Sequence, residues 1–372
     1  MLKTLLGASA VWVFAAQAAI AFDTSAKQAL LVDTSTNTVL LEKAAYEKMY
    51  PSSMSKLMTL YVLFERLKQG GLSLDDQFLV SEKAWRKGGS KMFVRVNEYV
   101  SIEDLIRGII VQSGNDACIV VAEGLAGSEK AFAELMNKKA EEIGLKGSHF
   151  VNSTGWPDDE HYMTAEDLYL LSHKLKTEFP DYYPYFAEEK YTYNNITQFN
   201  RNKLLSKGIG VDGLKTGHTE VAGYGITLAA DQDGRSLVLV VNGLDSETAR
   251  MDEGERLLQH GFRDFVALQL ADAGTQVDTA DVWMGEKDTV SLSVAEDLHV
   301  SLPRNGQDEL RYIASYDAPL QAPIEAGTHV GTLRLVRGET ELKSVPLMAA
   351  ESVEVSGFFG RIRQNLAHSL GL

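Results

Sequence analysis

Residues 53–68 read SMSKLMTLYVLFERLK and form the most apolar helix-like run of this chain. Apolar side chains recur there at helical spacing, and Gly70-Gly71 ends the run. The run opens with a Ser-x-x-Lys pattern, which Ser53 and Lys56 form and which occurs once in the sequence. Because residues three apart share one face of a helix, the Lys56 amine can reach the Ser53 hydroxyl.

Two further polar triplets follow at long range. Ser113-Gly114-Asn115 lies about sixty residues after Ser53, and Lys215-Thr216-Gly217 lies about a hundred residues further on. Each triplet is weak evidence alone, since Ser-x-Asn also occurs at Ser35-Thr36-Asn37 in a predicted turn. Together, in this order and spacing, the three patterns indicate acyl transfer on an active-site serine.

The first pattern supplies a nucleophile and a base. A serine hydroxyl reacts poorly until a nearby base takes its proton, and Lys56 can do this only as a neutral amine. Burial and a second cation such as Lys215 would both lower the pKa of Lys56. At the first turn of a helix, Ser53 also lies where the helix dipole favours a developing oxyanion.

The other two triplets indicate substrate contacts. Ser113-Gly114-Asn115 interrupts an apolar helical pattern, so its polar groups must be hydrogen-bonded in a buried place or line a cleft. In a cleft, Ser113 would relay a proton, and Asn115 would hold Lys56 or the substrate backbone. On a predicted strand, Lys215 and Gly217 face one side and Thr216 the other.

That strand is expected at a sheet edge, where it could bind an extended peptide by β-addition. Gly217 would let a ligand backbone approach closely. Lys215 and Arg250 are cations available for a terminal carboxylate, and the arginine offers a bidentate fork.

Periodicity predicts an α+β fold for the first two-thirds of the chain. A hairpin over 28–43 and strands within 213–216, 223–230 and 236–244 give an antiparallel sheet built from both ends of this part. The helices that we expect to pack against the sheet cover 53–68, 102–125, 129–144, 164–176 and 250–265.

The pattern changes near residues 271–274. Residues 275–350 hold short alternating runs with no helical stretch, which predicts a small all-β sandwich. Over 353–372 a basic amphipathic helix is expected, with Arg361 and Arg363 flanking its apolar face. That face consists of Val355, Phe358, Phe359, Ile362, Leu366 and Leu370. Such a helix indicates an interfacial membrane anchor, and a helix docked on its own protein is the alternative.

The N-terminus and the composition bear on the compartment. Lys3, the apolar run 5–19 and the small residues around Ile20 predict a cleaved secretory signal over 1–21, with an uncleaved anchor helix as the alternative. The single cysteine, Cys118, excludes an internal disulfide and lies in an apolar stretch, so we expect it to be buried. An exported chain without disulfides fits a bacterial envelope.

The net charge and the spacing of the histidines indicate which classes of ligand are not expected. The net charge of −15 argues against affinity for nucleic acid. The eight histidines are scattered without a metal-binding spacing, so we expect neither a metal nor another cofactor.

Three motifs carry a resemblance to a known family. They are YPSSMSKLMT (50–59), QSGNDA (112–117) and DGLKTGHT (212–219). The chain resembles the D-alanyl-D-alanine carboxypeptidases (peptidase family S11) among the low-molecular-weight penicillin-binding proteins. The similarity runs from about residue 28 to 265, and the β-rich part and the tail match the membrane-anchored subgroup.

The resemblance implies a fold and a set of roles. A penicillin-binding, serine β-lactamase-like transpeptidase fold is expected over 22–272 and the β-sandwich over 275–350. Ser53 would be the acyl-ester nucleophile, Lys56 the proton acceptor and Ser113 a further active-site residue. Motif position adds Asn115, the substrate-binding residues Lys215, Thr216, Gly217 and His218, and, on a less distinctive region, Arg250. The backbone N–H groups of Ser53 and His218 would form the oxyanion hole.

The predicted function is therefore a periplasmic enzyme, peripheral on the outer face of the inner membrane. It would remove the terminal D-alanine from peptidoglycan pentapeptide stems, and β-lactams would acylate the same serine. A β-lactamase and a D,D-endopeptidase are alternatives on the same fold. Glu166 could be taken for the deacylating glutamate of a class A β-lactamase, but its place in the first turn of a helix explains it better. A non-catalytic penicillin-binding receptor or scaffold is the alternative from another class.

Overall fold

The computed structural model describes residues 23–305, 310–360 and 362. The predicted signal segment over 1–21 lies outside the described residues, as does most of the predicted tail helix. Of that tail, residues 358–360 and 362 are helical, and Phe358, Phe359 and Ile362 are exposed. No helix within the described ranges has the length and apolar character needed to cross a membrane.

The first part combines helices with a five-stranded antiparallel sheet, which confirms the predicted α+β class. Its helices are α1 (Lys56–Lys68), α2 (Glu82–Arg86), α3 (Ile102–Ile110), α4 (Asn115–Ala126), α5 (Glu129–Ile143), α6 (Ala165–Glu178) and α7 (Glu247–Asp264). Its strands are β1 (Gln28–Asp33), β2 (Thr38–Lys43), β3 (Gln77–Leu79), β4 (Tyr99–Ser101), β5 (Lys190–Tyr193), β6 (Ile196–Phe199), β7 (Val211–Thr219), β8 (Gly223–Gln232) and β9 (Arg235–Leu244).

The strand order of the main sheet is β2-β1-β9-β8-β7, so β7 is an edge strand as predicted. β1 pairs with both β2 and β9, which joins strands from the two ends of this part. Successive residues of β1 enter different cores: Leu30 and Val32 pack in the core that contains α1, and Leu31 packs in the core that contains α7. The apolar run of β1 therefore reflects a sheet covered on both faces.

Three helices of the structure have bounds that differ from the predicted ones. Ser53 lies in a short 3₁₀ turn, Ser52–Ser55, and the α-helix begins only at Lys56. The single helix expected over 102–125 is wrong, because α3 ends at Ile110 and α4 begins at Asn115. Ser113 between them has φ of 57°, a left-handed conformation that a continuous α-helix does not contain. α7 begins at Glu247, with Ser246 as its N-cap, rather than at Arg250.

The second part is all-β, as expected. Its strands are β10 (Phe265–Ala271), β11 (Gln276–Trp283), β12 (Thr289–Val294), β13 (Leu298–Pro303), β14 (Leu310–Tyr316), β15 (Leu320–Gln321), β16 (His329–Arg337) and β17 (Thr340–Ala349). A six-stranded sheet, β14-β16-β17-β12-β11-β15, packs against the pair β10-β13 through Val300, Leu302 and Leu335. Since β10 pairs with β13, the β structure begins at Phe265, ahead of the change in pattern at 271–274.

Candidate active site

The turn before α1 brings Ser53 and Lys56 together. Lys56 Nζ lies 2.8 Å from Ser53 Oγ, the contact that the i, i+3 spacing predicts. Lys56 is fully buried, whereas Ser53 is half-buried. The pair therefore presents the serine to a cleft and keeps the amine behind it.

Two further acceptors surround the Lys56 ammonium. Nζ donates to Asn115 Oδ1 at 2.8 Å and to the Thr154 carbonyl at 2.5 Å. Burial is the main reason that the pKa of Lys56 falls from 10.5 to about 8, and the charges of Arg201 and Lys87 act in the same direction. Lys56, which must be neutral to act as a base, is therefore neutral mainly above about pH 8.

Asn115 links this lysine to a loop on the opposite wall. It lies at the start of α4, where its backbone N–H donates to the Ser90 carbonyl at 2.8 Å. Its side-chain Nδ2 donates to the Gly88 carbonyl at 3.0 Å while its Oδ1 receives Lys56. Asn115 is therefore in contact with Lys56, as its predicted role requires. Its contacts with the loop at 88–90 were not predicted from the sequence.

Ser113 lies against the third motif. Lys215 Nζ donates to Ser113 Oγ at 3.0 Å, and both residues are buried. Burial, followed by the charge on Lys56, lowers the pKa of Lys215 well below its usual value. A break between two helices thus places a hydroxyl beside a second buried lysine.

The remaining residues of the third motif follow along β7. Thr216 is buried, and its carbonyl accepts from the Lys215 ammonium at 3.2 Å. A Cβ at Gly217 would lie 2.9 Å from the Pro51 carbonyl oxygen. The glycine therefore admits the turn that carries Ser53, which is a different reason from the ligand approach that we expected.

His218 and Arg250 complete the set predicted from the sequence. The His218 ring is exposed and stacks on Tyr224 with ring centroids 3.9 Å apart. Arg250, on α7, is buried and donates from Nη1 to the Gly217 carbonyl at 3.3 Å. Its Nε is buried without a hydrogen-bond partner among the described residues. Arg250 therefore lies beside the motif and keeps a donor for a ligand.

The loop over 152–157 also belongs to the site, although the sequence did not predict it. Asn152 Oδ1 accepts from the backbone N–H groups of Thr154 and Gly155, which fixes the Thr154 carbonyl that meets Lys56. Gly155 has φ of 77°, and a Cβ there would overlap the Ser52 carbonyl oxygen at 1.8 Å. An Asn followed three residues later by Gly is a turn signal that could have marked the loop, although not its partner.

These elements enclose a cleft of about 470 Å³. Its walls are Ser53, Gly89, Ser90, Asn115, the loop 154–157 and the end of β7 with its following turn, 218–221.

Glu166 instead lines a separate cavity with Tyr46 and Leu170, which agrees with its interpretation as a helix first-turn residue. Cys118 is buried, and burial raises the pKa of its thiol to about 12. Within the described ranges, no three His, Cys, Asp or Glu side chains are grouped as a metal site.

A helical block and an antiparallel sheet that meet around Ser-x-x-Lys, Ser-x-Asn and Lys-Thr-Gly elements define the serine acyl-enzymes that include the penicillin-binding proteins. Comparison with known proteins narrows the class. The chain belongs to the D-alanyl-D-alanine carboxypeptidase family, whose sequence profile matches residues 13–246. The profile of the penicillin-binding protein 5 C-terminal domain matches residues 265–355. Both matches agree with the resemblance seen in the sequence.

Known relatives and solved structures are similar to this protein over most of the chain. The D-alanyl-D-alanine carboxypeptidase DacC of Escherichia coli (strain K12) is 38% identical over 343 residues, 90% of this chain and 85% of that relative. Penicillin binding protein 5 from Haemophilus influenzae superposes with a TM-score of 0.80 at 34% identity, covering 89% of this chain and 98% of that one. Penicillin-binding protein D2 from Listeria monocytogenes, in its ampicillin-bound form, has a TM-score of 0.60 at 28% identity, over 65% of this chain and 99% of that one.

Proposed function

We propose that this chain is a serine D-alanyl-D-alanine carboxypeptidase that removes the terminal D-alanine from peptidoglycan pentapeptide stems. The observation that carries the proposal is the 2.8 Å contact between Lys56 Nζ and Ser53 Oγ, in a cleft that Asn115 and the end of β7 also line. Membership of the carboxypeptidase family supports the reaction type.

Acylation begins when neutral Lys56 takes the Ser53 proton. Ser53 Oγ then attacks the carbonyl of the penultimate D-alanine, and the backbone N–H groups of Ser53 and His218 stabilise the oxyanion. As the C–N bond breaks, the proton passes to the leaving amine of the terminal D-alanine, with Ser113 as the relay beside Lys215. Water then attacks the acyl ester with Lys56 as base, which releases the shortened stem and restores Ser53. β-Lactams would acylate Ser53 in the same way.

Two basic side chains at β7, Lys215 and Arg250, favour a site for the terminal carboxylate. Lys215 and Arg250 are buried cations at Ser113 and Gly217, and Arg250 has a buried donor without a partner among the described residues. A buried charged donor is costly to leave unpaired, which favours an anionic ligand there. These two residues would therefore bind the carboxylate of the terminal D-alanine.

The test is Ser53→Ala beside Ser55→Ala. Ser55 belongs to the same turn, but the residue in contact with Lys56 is Ser53. Ser53→Ala should abolish turnover of a D-alanyl-D-alanine peptide and covalent labelling by penicillin, as seen by mass spectrometry, whereas Ser55→Ala should keep both. Labelling of Ser53→Ala at another serine would overturn the nucleophile assignment, and labelling of the native protein without turnover would indicate a receptor.

We further propose that the chain is exported to the periplasm and is held on the inner membrane by its tail. The support is the N-terminal apolar segment, the apolar stripe from Val355 to Leu370 and the exposure of Phe358 and Phe359, at 67% and 84%. Deleting residues 355–372 should leave peptide turnover unchanged and abolish co-sedimentation with anionic vesicles. If the truncated protein still sediments with vesicles as the full chain does, the tail is not the anchor.

A further inference from the structure

The proposed carboxylate site accounts for one end of the substrate, the terminal D-alanine. Lys215 and Arg250 lie at Ser113 and Gly217, outside the cleft lining. From Ser53 the cleft is lined by residues 218–221 and by Trp156. On the proposed function, the leaving D-alanine lies at Lys215 and Arg250, and the residue that precedes the two D-alanines lies on the other side of the scissile bond, in the cleft that Ser53 and Trp156 line.

Trp156 forms a fixed apolar wall there. Its backbone N–H donates to Asn152 Oδ1 at 3.1 Å, and its carbonyl accepts from Asn152 Nδ2 at 3.0 Å. A Cβ at Gly89 would lie 3.1 Å from the indole, so the two walls of the cleft nearly touch at this point. The indole is still 46% exposed, which leaves it open to an aliphatic side chain.

The ammonium of Lys87 lies over this wall. Lys87 Nζ lies 4.5 Å from the centre of the Trp156 ring, and Lys87 is half-buried. The surrounding segment, residues 83–95, has five cations and no acidic residue in a chain of net charge −15. Lys83, Arg86 and Arg95 each pair with a glutamate. In contrast, Lys87 and Lys91 have no carboxylate partner in the part of the chain that the structure describes.

We propose that Lys87 and Trp156 form a specificity subsite for the residue before the two D-alanines. The subsite takes a side chain whose aliphatic stem lies on the indole and whose terminal carboxylate meets the Lys87 ammonium. The inference rests on the proposed function and adds the chemistry of a third substrate residue. Glu220, which also lines the cleft, would instead favour a cationic side chain, and the test separates the two.

The experiment compares two peptides, acetyl-X-D-alanyl-D-alanine, in which X is L-2-aminoadipate or its side-chain amide. They differ only in one charge, so the ratio of their kcat/KM values cancels any effect of Lys87 on the pKa of Lys56. The native protein should prefer the acid, and Lys87→Ala should lower the acid-to-amide ratio about fivefold, since the cation is partly exposed. Lys87→Glu should invert the preference.

Lys91→Ala is the matched control. Lys91 carries the same charge on the same segment and is also half-buried, but it lines a different cavity with Trp85 and Phe93. Lys91→Ala should have the same acid-to-amide ratio of kcat/KM as the native protein. In both proteins this ratio should decrease as ionic strength rises. Trp156→Ala should reduce kcat/KM for the amide peptide more than for a peptide with alanine at X.

The possible failures are distinguishable. A ratio unchanged in Lys87→Ala while both peptides still turn over would overturn the subsite alone, as would a native preference for the amide. A native protein that hydrolyses neither peptide and forms no penicillin adduct on Ser53 would overturn the proposed function and the subsite with it.

Discussion

Two opposing effects act on one residue, Lys56. Burial disfavours the ammonium, while Ser53, Asn115 and the Thr154 carbonyl all accept hydrogen bonds from it and favour it. Burial wins by enough to lower the pKa to about 8. The lysine therefore remains mostly protonated at neutral pH, yet a useful fraction is free to act as a base.

This balance predicts a pH dependence. Because acylation requires the neutral amine, its rate constant should rise about tenfold per pH unit below the pKa and level off above about pH 8. Lys215 is also buried, and its charge and that of Lys56 repel each other, so the apparent pKa belongs to the pair. The measurement is the second-order rate constant for acylation by a fluorescent penicillin between pH 5.5 and 9.5.

Lys56→Arg provides the control for that profile. A guanidinium keeps the charge but cannot give up its proton in this range, so acylation should be lost at every pH. A flat profile in the native protein, or near-normal acylation of Lys56→Arg, would remove Lys56 from the role of base.

At the scale of elements, the first two residues of α4, Asn115 and Asp116, hold the 88–95 loop. Asp116 is fully buried and accepts from the backbone N–H groups of Met92 and Phe93 at 2.9 Å and of Val94 at 3.3 Å. The adjacent Asn115 holds the same loop at Gly88 and Ser90. The loop that forms one wall of the cleft therefore depends on a residue that does not line it.

We predict that Asp116→Asn destabilises the protein and slows acylation. The amide turns a donor toward backbone donors, so buried N–H groups lose their acceptor, at a cost of about 2 kcal/mol. Thermal unfolding and penicillin acylation check the two effects. Asp76→Asn is the control, since its exposed carboxylate accepts from the Ser73 N–H and should matter little. Equal behaviour of the two variants would contradict the attachment.

Local spacing predicted more of the site than of its surroundings. Ser53 and Lys56 are three residues apart, so the helix repeat alone places them together. Thr154 and Gly88 reach Lys56 and Asn115 across long sequence separations, which no local pattern encodes. The sequence showed that polar residues interrupt the apolar pattern at 113–115, but not that the helix ends there, because the spacing of the apolar residues on both sides fits one helix and does not reveal the left-handed Ser113.

At the scale of the molecule, a buried carboxylate joins the two parts of the chain. Asp33, at the end of β1, accepts from Ser301 Oγ of β13 at 2.7 Å and from Arg235 Nη2 at 2.6 Å. Arg235 also donates to the carbonyls of Phe262 and Phe265, where α7 passes into β10. The sequence showed the change in pattern at 271–274 but not this connection, since β10 continues directly from the helix.

We predict that Asp33→Ala destabilises the chain by about 3 kcal/mol or more, because it leaves the largely buried Arg235 without its anion. Ser301→Ala removes a neutral partner of the same carboxylate together with the contact between Ser301 Oγ and Thr36 Oγ1, and it should cost about 1 to 2 kcal/mol. Urea unfolding, followed by circular dichroism and by loss of penicillin binding, measures both. In the native protein the two signals should change together, whereas in Asp33→Ala they should separate, since the β part no longer shares the carboxylate with the catalytic part. Coincident transitions in Asp33→Ala, or equal costs for the two variants, would show that the hydrophobic contacts around β10 and β13 join the parts and that the carboxylate does not.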